Sequence, residues 1–399
     1  MSDAPRVIFV NRVYWPATAA TAQLLTDLAE SLAARGWGVH VVASGETDAT
    51  RNGVIIHRAG PAVNSGGIVS RALAHRRFIR AVAAKLVTLA RPGDIVVTMT
   101  DPPLLGPALA GAMRTQGVRL IHWIQDIYPE IASAHFGAFA GLALAPLRAR
   151  RDSAWSDATA CVLLGTDMAG LASARGVAQS RIHIIPNWAP RELQVPASAS
   201  DVALHRGKLG LGGSFVLAYS GNLGRVHEFA TILRVAALLR DDRKILFLFI
   251  GTGARFDEIA ATSRRQDLPN IRLLPPENRT NLPVSLQAAD AHLVTLLPAY
   301  RQLVYPSKLA GALAAGRPVV FVGPTGGEIA GLLRARGCGA AFAPGDVAGL
   351  AGHLRRLATD AALGQQQGAQ GRLLYEQSFH ADAALAAWDR LLRQQTGRA

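Results

Sequence analysis

Residues 7–43, VIFVNRVYWPATAATAQLLTDLAESLAARGWGVHVVA, decide the fold class of this chain. Two short apolar runs, residues 7–10 and 39–43, have the continuous β-rich character of strands that are covered on both faces. Between them, residues 21–35 place four leucines on one face at helical spacing, and Gly36 follows where a helix stop is expected. This strand–helix–strand order predicts a parallel sheet of the α/β class.

The same alternation continues along the whole chain. Strands are predicted at residues 95–99, 118–123, 160–164 and 182–185, and a second series follows at residues 216–219, 246–250, 271–274, 292–296, 318–322 and 340–342. Between the two series, Pro190, Pro196 and a Ser/Ala-rich run predict a linker at residues 188–210. The sequence therefore predicts two α/β domains in tandem, over residues 1–190 and 210–380, with a ligand site in the cleft between them.

Composition and charge narrow the class of protein. The chain has 399 residues, of which 50% are hydrophobic and 18% charged, so it is a folded protein. Its net charge of +14 indicates an anionic partner such as phosphate, nucleic acid or a lipid surface. Cys161 and Cys338 lie far apart, which excludes a disulfide scaffold and favours a reducing compartment. No secretory signal is found at the first residues, and the apolar stretch 136–147 is too short to span a bilayer, so a cytoplasmic protein is expected.

Two glycine turns in the second half have the features of a phosphate site. Residues 220–225 (SGNLGR) follow the first predicted strand of that half and include Gly221, Asn222 and Arg225. Glycines let a backbone approach a ligand, amides at a helix start attract anions, and arginine can bind phosphate through two hydrogen bonds. Gly251 and Gly253 repeat the arrangement after the next strand. Two such turns favour a nucleotide ligand, and the alternative is a pair of plain strand-to-helix turns.

Two further loops carry candidate ligand-binding residues. Residues 305–308 (YPSK) open a predicted helix, where Ser307 is expected to bond early amides. Lys308 is badly placed near the positive end of a helix unless an anion lies opposite, which favours a diphosphate partner over a solvated lysine. Residues 323–328 (GPTGGE) end in Glu328, which is expected either to accept hydrogen bonds from ligand hydroxyls or to cap the next helix.

The first half carries candidates for catalysis and for membrane contact. Residues 122–130 (HWIQDIYPE) place His122 and Asp126 at a strand end, among aromatics suited to a sugar ring; the alternative is a core histidine and capping carboxylates. The basic stretch 70–91 is expected to lie on anionic lipid together with residues 136–147. Missing sequence motifs disfavour a dinucleotide dehydrogenase, a P-loop ATPase and a nucleic-acid-binding protein.

Six motifs, in this order along the chain, resemble one known family. They are NRVYWPATAATAQLLTDLAESLAARG (11–36), HWIQDIYPE (122–130), IIPNWAP (184–190), YSGNLGR (219–225), IGTG (250–253) and YPSKLAGALAAGRPVVFVG (305–323). The chain resembles the retaining, nucleotide-sugar-dependent glycosyltransferases of family four, and within them the bacterial polysaccharide, colanic-acid-type and O-antigen subgroup. The resemblance covers nearly the whole sequence.

This resemblance implies a GT-B architecture, in which two Rossmann-like domains with parallel sheets face each other across a cleft. It implies an acceptor on the first domain, a nucleotide sugar mainly on the second, and a last helix, within residues 381–399, that packs back on the first. No metal ion and no cofactor are expected, and the sequence has no D-x-D motif. Arg225 and Lys308 match the positions that neutralise the leaving diphosphate, and Gly221 matches the glycine of that turn. His122 and Asp126 match the strand-end region that faces the sugar and the acceptor.

One departure from the family concerns the ribose of the donor. Many relatives carry an E-x7-E pair, whose second glutamate holds the ribose hydroxyls. This chain has Leu303 and Gly311 at those two positions. Glu328 is the substitute that the sequence suggests.

The resulting hypothesis is a retaining transferase that moves a hexose, deoxyhexose or N-acetylhexosamine from a nucleoside-diphosphate sugar. By analogy with most relatives the donor is a UDP-sugar, and the acceptor is a glycan carried on polyprenyl diphosphate. Such an enzyme would act in bacterial surface polysaccharide, lipopolysaccharide or exopolysaccharide synthesis, peripherally on the cytoplasmic face of the cell membrane. Two alternatives stay open: a sugar-nucleotide 2-epimerase, and a non-catalytic partner of a transferase in a membrane complex.

Overall fold

The computed structural model describes residues 5–61 and 67–396. The chain divides into two compact units. Unit 1 comprises Met1–Pro186, Gln302–Tyr305 and Ala384–Ala399, and unit 2 comprises Asn187–Arg301 and Pro306–Ala383. The outermost parts of the predicted first domain and of the predicted final segment, residues 1–4 and 397–399, lie outside the described residues.

Unit 1 is built on an eight-stranded sheet. Its strands β1 to β8 lie at Arg6–Val10, Gly38–Ala43, Ala49–Arg51, Val54–Arg58, Ile95–Thr98, Arg119–Trp123, Ala160–Leu163 and Ile182–Ile184. Their spatial order is β3-β4-β2-β1-β5-β6-β7-β8, and every neighbouring pair is parallel except β3 with β4. The six predicted strands are present within one or two residues. The hairpin of β3 and β4 was not predicted, although Asn52-Gly53, both with positive φ, is a typical hairpin turn.

Helices of the described residues pack around this sheet. Helices α1 to α7 lie at Ala20–Ala34, Ile68–Leu89, Leu105–Thr115, Glu130–Phe136, Ala138–Ala143, Ala145–Asp157 and Thr166–Ala174. On one face, Phe78, Val82 and Leu86 of α2 are buried in a shared core with α3 and with β1, β2 and β5. Burying a large apolar side chain contributes about 1.5–3 kcal/mol, so this layer holds α2 firmly along its second half.

Unit 2 is built on a six-stranded, fully parallel sheet. Its strands β9 to β14 lie at Phe215–Ser220, Ile245–Ile250, Ile271–Leu274, Ala291–Thr295, Val319–Val322 and Gly339–Phe342, in the order β11-β10-β9-β12-β13-β14. Its helices α8 to α15 lie at Ala199–Lys208, Ala230–Leu238, Phe256–Arg265, Leu282–Gln287, Lys308–Ala314, Glu328–Arg336, Val347–Thr359 and Ala361–Leu374. The six strands predicted for the second half are all present.

The linker predicted at residues 188–210 is folded instead. It contains a 3-10 turn at Arg191–Leu193 and the helix α8, all within unit 2. The first serine of the Ser/Ala-rich run is a helix cap, because the Ser198 side chain accepts from the Asp201 amide at 3.1 Å. Arg206 ties α8 to the sheet through Asp290, at 3.1 Å. The polar and small residues that indicated a linker are therefore the start of a helix.

The last helix, α16 (Ala381–Thr396), belongs to unit 1 from Ala384 onward. Trp388 is fully buried and packs against Trp123 of β6 with ring centroids 4.8 Å apart. The indole nitrogen of Trp37 donates to Asp389 at 2.7 Å. Both units thus have the α/β, Rossmann-like architecture that the strand and helix order predicts.

Candidate functional site

The topology of each sheet marks one position where a ligand is expected. In unit 2 the chain runs from β9 outward to β10 and β11 and then returns to β12 on the opposite side of β9. In parallel α/β sheets, ligands bind beyond the carboxyl ends of the strands at such a reversal. The reversal lies between β9 and β12 in unit 2 and between β1 and β5 in unit 1.

The two predicted glycine turns of unit 2 pack against each other. Gly221, Gly251 and Gly253 have φ values of 129°, 149° and 135°, which other residues rarely adopt. A Cβ at Gly251 would overlap the Gly221 carbonyl oxygen, and one at Gly253 would lie 2.8 Å from the Leu223 amide nitrogen. That amide donates to the Thr252 carbonyl at 2.7 Å. Gly251 and Gly253 are therefore required for contact between the two loops, whatever ligand lies beyond them.

Lys308, the first residue of α12, lies against the first of these turns. A Cβ on Gly221 would be 2.9 Å from Lys308 Cε, so the missing side chain makes room for the lysine. Its Nζ lies 4.9 Å from the centre of the Tyr219 ring and 3.4 Å from His227 Nε2. Burial lowers the pKa of Lys308 to about 8. Among the described residues it has no carboxylate partner, so the reversal of this sheet holds a cation without a counter-ion.

The remaining predicted ligands of unit 2 lie on neighbouring loops. Asn222 and Arg225 are exposed on the loop after β9, and Glu328 begins α13 after β13. Their roles in ligand binding stay predictions. Ser307 precedes α12, but its side chain makes no capping bond, so that expectation was wrong. Ser307 has helical φ and ψ, −58° and −20°, whereas a capping serine needs extended backbone.

The helix after the SGNLGR turn does not offer its first amides to an anion. α9 begins only at Ala230, five residues after Arg225. The buried carboxylate of Glu228 accepts from the Thr231 amide at 3.0 Å and from Thr231 Oγ1 at 3.1 Å. Because a carboxylate already caps this helix, the prediction that its amides attract the phosphate was wrong. The positive charge at this turn comes from side chains, Lys308 among them.

His122 has the contacts of a core histidine. Its ring is buried, with Nδ1 3.0 Å from Thr98 Oγ1 and Nε2 3.4 Å from the Ala154 carbonyl oxygen. Burial lowers its pKa to about 4, so the ring is neutral. A Cβ on Gly106 would overlap the ring, which shows how closely α3 covers it. Both nitrogens are engaged inside unit 1, and the ring also lines the small cavity beside Asp126, so a role of His122 at the sugar stays a prediction.

Asp126 lies near the reversal of the unit 1 sheet, beside a second carboxylate. Burial, and then the charge of Asp101, raise the pKa of Asp126 to about 6. Asp101 follows β5 and accepts from the Arg12 guanidinium at 2.8 and 2.9 Å; Arg12 in turn follows β1. A cavity of about 20 Å³, enough for one water, is lined by Asp126 and Tyr128 among others. The Arg12–Asp101 pair was not singled out from the sequence, because its partners are 89 residues apart.

Glu130, which shares the HWIQDIYPE motif, is part of a buried ion-pair network. Its oxygens accept from the Arg151 guanidinium at 2.7 and 2.9 Å. Arg151 is 1% exposed and lies over the Trp155 ring, 4.1 Å from its centroid. Removing one partner of such a buried pair is strongly destabilising, so this carboxylate maintains the fold of unit 1.

Gly311, which replaces the expected ribose-binding glutamate, faces apolar side chains. A Cβ built there would have Leu286 and Leu193 as its nearest neighbours, at 3.6 and 3.8 Å. Both leucines are buried. An acidic side chain at position 311 would therefore begin among apolar atoms. The absence of the ribose-binding glutamate at this position is consistent with its apolar surroundings.

In the described ranges, no group of three or more His, Cys, Asp or Glu is arranged to hold a metal ion. Within the same described ranges, no helix is long and apolar enough to cross a membrane.

Comparisons with known proteins identify the class. A Glycosyl transferase 4-like domain matches residues 20–188, and a Glycosyl transferases group 1 domain matches residues 214–360. The chain is 29% identical over 298 residues to the probable glycosyltransferase WbjE of Pseudomonas aeruginosa, covering 73% of this chain and 72% of WbjE. It is 28% identical over 159 residues to the putative colanic acid biosynthesis glycosyl transferase WcaI of Escherichia coli K12, covering 40% and 39%. The chain is therefore a glycosyltransferase that carries these two domains, and the matches are consistent with the family-four glycosyltransferases.

Solved structures support the fold. Sucrose-phosphate synthase from Thermosynechococcus elongatus superimposes with a TM-score of 0.80 at 17% identity, over 99% of this chain and 100% of that one. Anabaena HepE in complex with UDP and glucose gives 0.72 at 15% identity, over 98% and 100%. WaaG, a glycosyltransferase involved in lipopolysaccharide biosynthesis, gives 0.73 at 17% identity, over 96% and 99%. The fold is therefore GT-B, as expected from the sequence.

Proposed function

We propose that this enzyme transfers a sugar from a UDP-sugar to a lipid-linked glycan intermediate of a bacterial surface polysaccharide or lipopolysaccharide, with retention of anomeric configuration. The observation that carries the proposal is the Lys308 ammonium, held without a carboxylate beside the Gly221 turn. A diphosphate at the reversal of the sheet supplies the missing negative charge. The complex of HepE with UDP supports uridine, and the names of WcaI and WaaG support the polysaccharide context.

In this proposal unit 2 stabilises the leaving group. The bond between the anomeric carbon and the diphosphate oxygen breaks, and the acceptor hydroxyl oxygen bonds to the same face of that carbon. The hydroxyl proton passes to the leaving diphosphate. As negative charge builds on the diphosphate, Lys308 and Arg225 stabilise it more than they stabilise the bound donor. Removing one such contact from an active site typically lowers kcat by about 10²–10³-fold.

In the same proposal unit 1 binds the acceptor through Asp126. With its pKa raised to about 6, this carboxylate ionises just below neutral pH and accepts a hydrogen bond from a sugar hydroxyl. The Arg12 guanidinium offsets the charge of the neighbouring Asp101, so that two carboxylates remain compatible at one strand edge.

The N-terminal half of α2 supplies the membrane contact that we propose. Its 22 residues extend about 33 Å, whereas the strands of unit 1 span at most about 20 Å, so its first turns project past the carboxyl edge of the sheet. There, Val69 and Leu73 are 73% and 50% exposed. Arg76, Arg77 and Arg80, all exposed, continue the same stripe at helical spacing. Apolar side chains followed by arginines suit an anionic lipid surface.

Nucleotide binding is the first test. Thermal melts with UDP, GDP, ADP and CMP, without added metal, should show selective stabilisation by UDP. A ligand at 100 times its Kd adds about 2.7 kcal/mol to the free energy of unfolding. Lys308→Met should abolish the shift, and Lys244→Met, at an exposed lysine of the same unit, should preserve it. Equal binding of UDP to wild type and Lys308→Met would overturn the site.

Transfer and membrane binding are tested separately. UDP-sugars are supplied with polyprenyl-diphosphate-linked glycans, and the anomeric configuration of the product is read by NMR; inversion would contradict the retaining mechanism. Vesicles containing phosphatidylglycerol should carry the protein in flotation, and a variant with Arg76→Glu and Arg77→Glu should stay behind. If both proteins float equally well, α2 does not make the membrane contact.

A further inference from the structure

His227 lies two residues after Arg225, between β9 and α9, and its ring is only 7% exposed. Its Nδ1 is 2.8 Å from the carbonyl oxygen of Thr295, the last residue of β12. Because a carbonyl oxygen only accepts, Nδ1 carries the hydrogen, and Nε2 of the neutral ring has a free lone pair. Nε2 lies 3.4 Å from Lys308 Nζ and therefore accepts from the ammonium.

The surroundings of His227 keep its ring neutral. Burial, the charge of Lys308 and, more weakly, that of Arg255 lower the pKa of His227 to about 3. Tyr219 packs edge-on at 5.7 Å, and its hydroxyl donates to the Asn222 carbonyl at 2.7 Å, away from the histidine. The lone pair on Nε2 is therefore available to Lys308 across the whole range of physiological pH.

We infer that His227 is a positioning residue: its Nε2 holds the ammonium of Lys308 beside the Gly221 turn, where the diphosphate of the donor binds. This inference rests on the proposed function. A lysine side chain loses rotamer freedom when it binds a ligand, and fixing it before the ligand arrives removes part of that cost from binding. An ammonium has three donors, so the bond to His227 leaves two for phosphate oxygens.

The contact also sets the pH range of nucleotide binding. A lone pair that faces the ammonium stabilises its charged form, which is the form that binds a diphosphate. With the pKa of Lys308 at about 8, affinity for UDP should fall above about pH 8. Without Nε2 this fall should begin at lower pH. Tyr219 also faces this pair but does not titrate there, because burial raises its pKa. Arg255 contributes a positive charge near His227.

The experiment measures Kd for UDP by calorimetric titration from pH 6.5 to 9.5. His227→Asn keeps an amide N–H for Thr295 but is too short to reach Lys308, whereas His227→Gln has the length to present an acceptor oxygen to it. We expect the affinity lost by His227→Asn to be about sixfold greater at pH 8.5 than at pH 6.5, as a one-unit fall of the Lys308 pKa from about 8 requires. His227→Gln should keep the wild-type profile. His353→Asn, at a buried histidine on α14, is the matched control and should also keep it.

The outcomes separate this inference from the function on which it rests. If wild type binds no nucleoside diphosphate, the proposed function fails, and NMR titration of ¹³C-labelled lysine in the unliganded proteins still decides whether Nε2 supports the charge on Lys308. If wild type binds UDP and His227→Asn loses affinity equally at every pH, the positioning role is wrong. Melting temperatures show whether each variant folds; if His227→Asn does not, His227→Phe fills the same space without an acceptor and replaces it.

Discussion

Replacing Lys308 with methionine should stabilise the protein while it abolishes nucleotide binding. Burial lowers the pKa of Lys308 from 10.5 to about 8. Since each pKa unit corresponds to about 1.36 kcal/mol, holding the charged amine at neutral pH costs the folded state about 3 kcal/mol. Methionine loses the contacts with the Tyr219 ring and His227, which contribute about 1 kcal/mol or less each. The expected net gain is about 1–2 kcal/mol, or about 2–8 °C in Tm for a unit of this size.

This gain depends on pH in a defined direction. Between about pH 8 and pH 10.5 the unfolded chain binds a proton on Lys308 that the folded chain does not. The stability of the wild type therefore rises with pH through this window. The Lys308→Met variant has no such group, so its advantage is full below pH 8 and declines as the pH approaches 10.

Differential scanning calorimetry at pH 7.0 and pH 9.5 measures both effects. Lys244→Met, at an exposed lysine before β10, should change Tm little at either pH. A Lys308→Met protein that melts below wild type at pH 7.0 would refute the reasoning, because the lysine would then be stabilising where it lies. An advantage of equal size at both pH values would refute it as well, since the cost would not be that of the charge.

Three further predictions address the fold and unit 1. The protein should lose stability as pH falls from about 6.5 to 4, because His122 and His292 are buried with pKa values of about 4 and the unfolded chain binds protons more readily; a Tm that is the same at pH 7.0 and pH 4.5 would contradict this. Gly251→Ala should lower the free energy of unfolding by more than about 2 kcal/mol, because its Cβ would overlap the neighbouring turn. Gly311→Ala should leave the free energy of unfolding unchanged or raise it by up to about 1 kcal/mol. Denaturant titration measures both, and the reverse ranking would be inconsistent with the loop packing. Arg12→Ala should raise the pKa of Asp126 above 6 and move the acid limb of the pH–rate profile upward, and an unmoved limb would exclude their coupling through Asp101.

The strands could be predicted from the sequence because both sheets are buried on two faces. Each central strand is then a continuous apolar run, as in β9 and β13, and the runs are separated by helical patterns. The hairpin of β3 and β4 lies at the sheet edge, where Ile55 is exposed, so it lacks this signal. The linker prediction at residues 188–210 was wrong because proline, serine and alanine are typical of helix starts as well as of linkers.

The candidate site could be predicted only where a local motif carries it. The glycine turns and Lys308 are recognisable from their neighbours in sequence, and the structure brings them together. His227 carries no such pattern, because its role depends on Thr295 and Lys308, which are 68 and 81 residues away. His122 lies at a strand end, which is typical of a catalytic residue, but the contacts with Thr98 and α3 that enclose its ring could not be predicted from the local sequence.

The half-buried Lys308 is held in place by neutral groups, and the chemistry of its ligand explains why. A carboxylate would hold the ammonium more strongly than a histidine lone pair and an aromatic ring do, and it would reduce the cost of burial. It would also occupy the donors and cancel the charge that a diphosphate needs, so donor binding would have to displace it. A neutral His227 fixes the position of the ammonium and leaves its charge for the ligand. The apolar surroundings of Gly311 fit the same arrangement, since no acidic side chain starts from that position of the helix that carries Lys308.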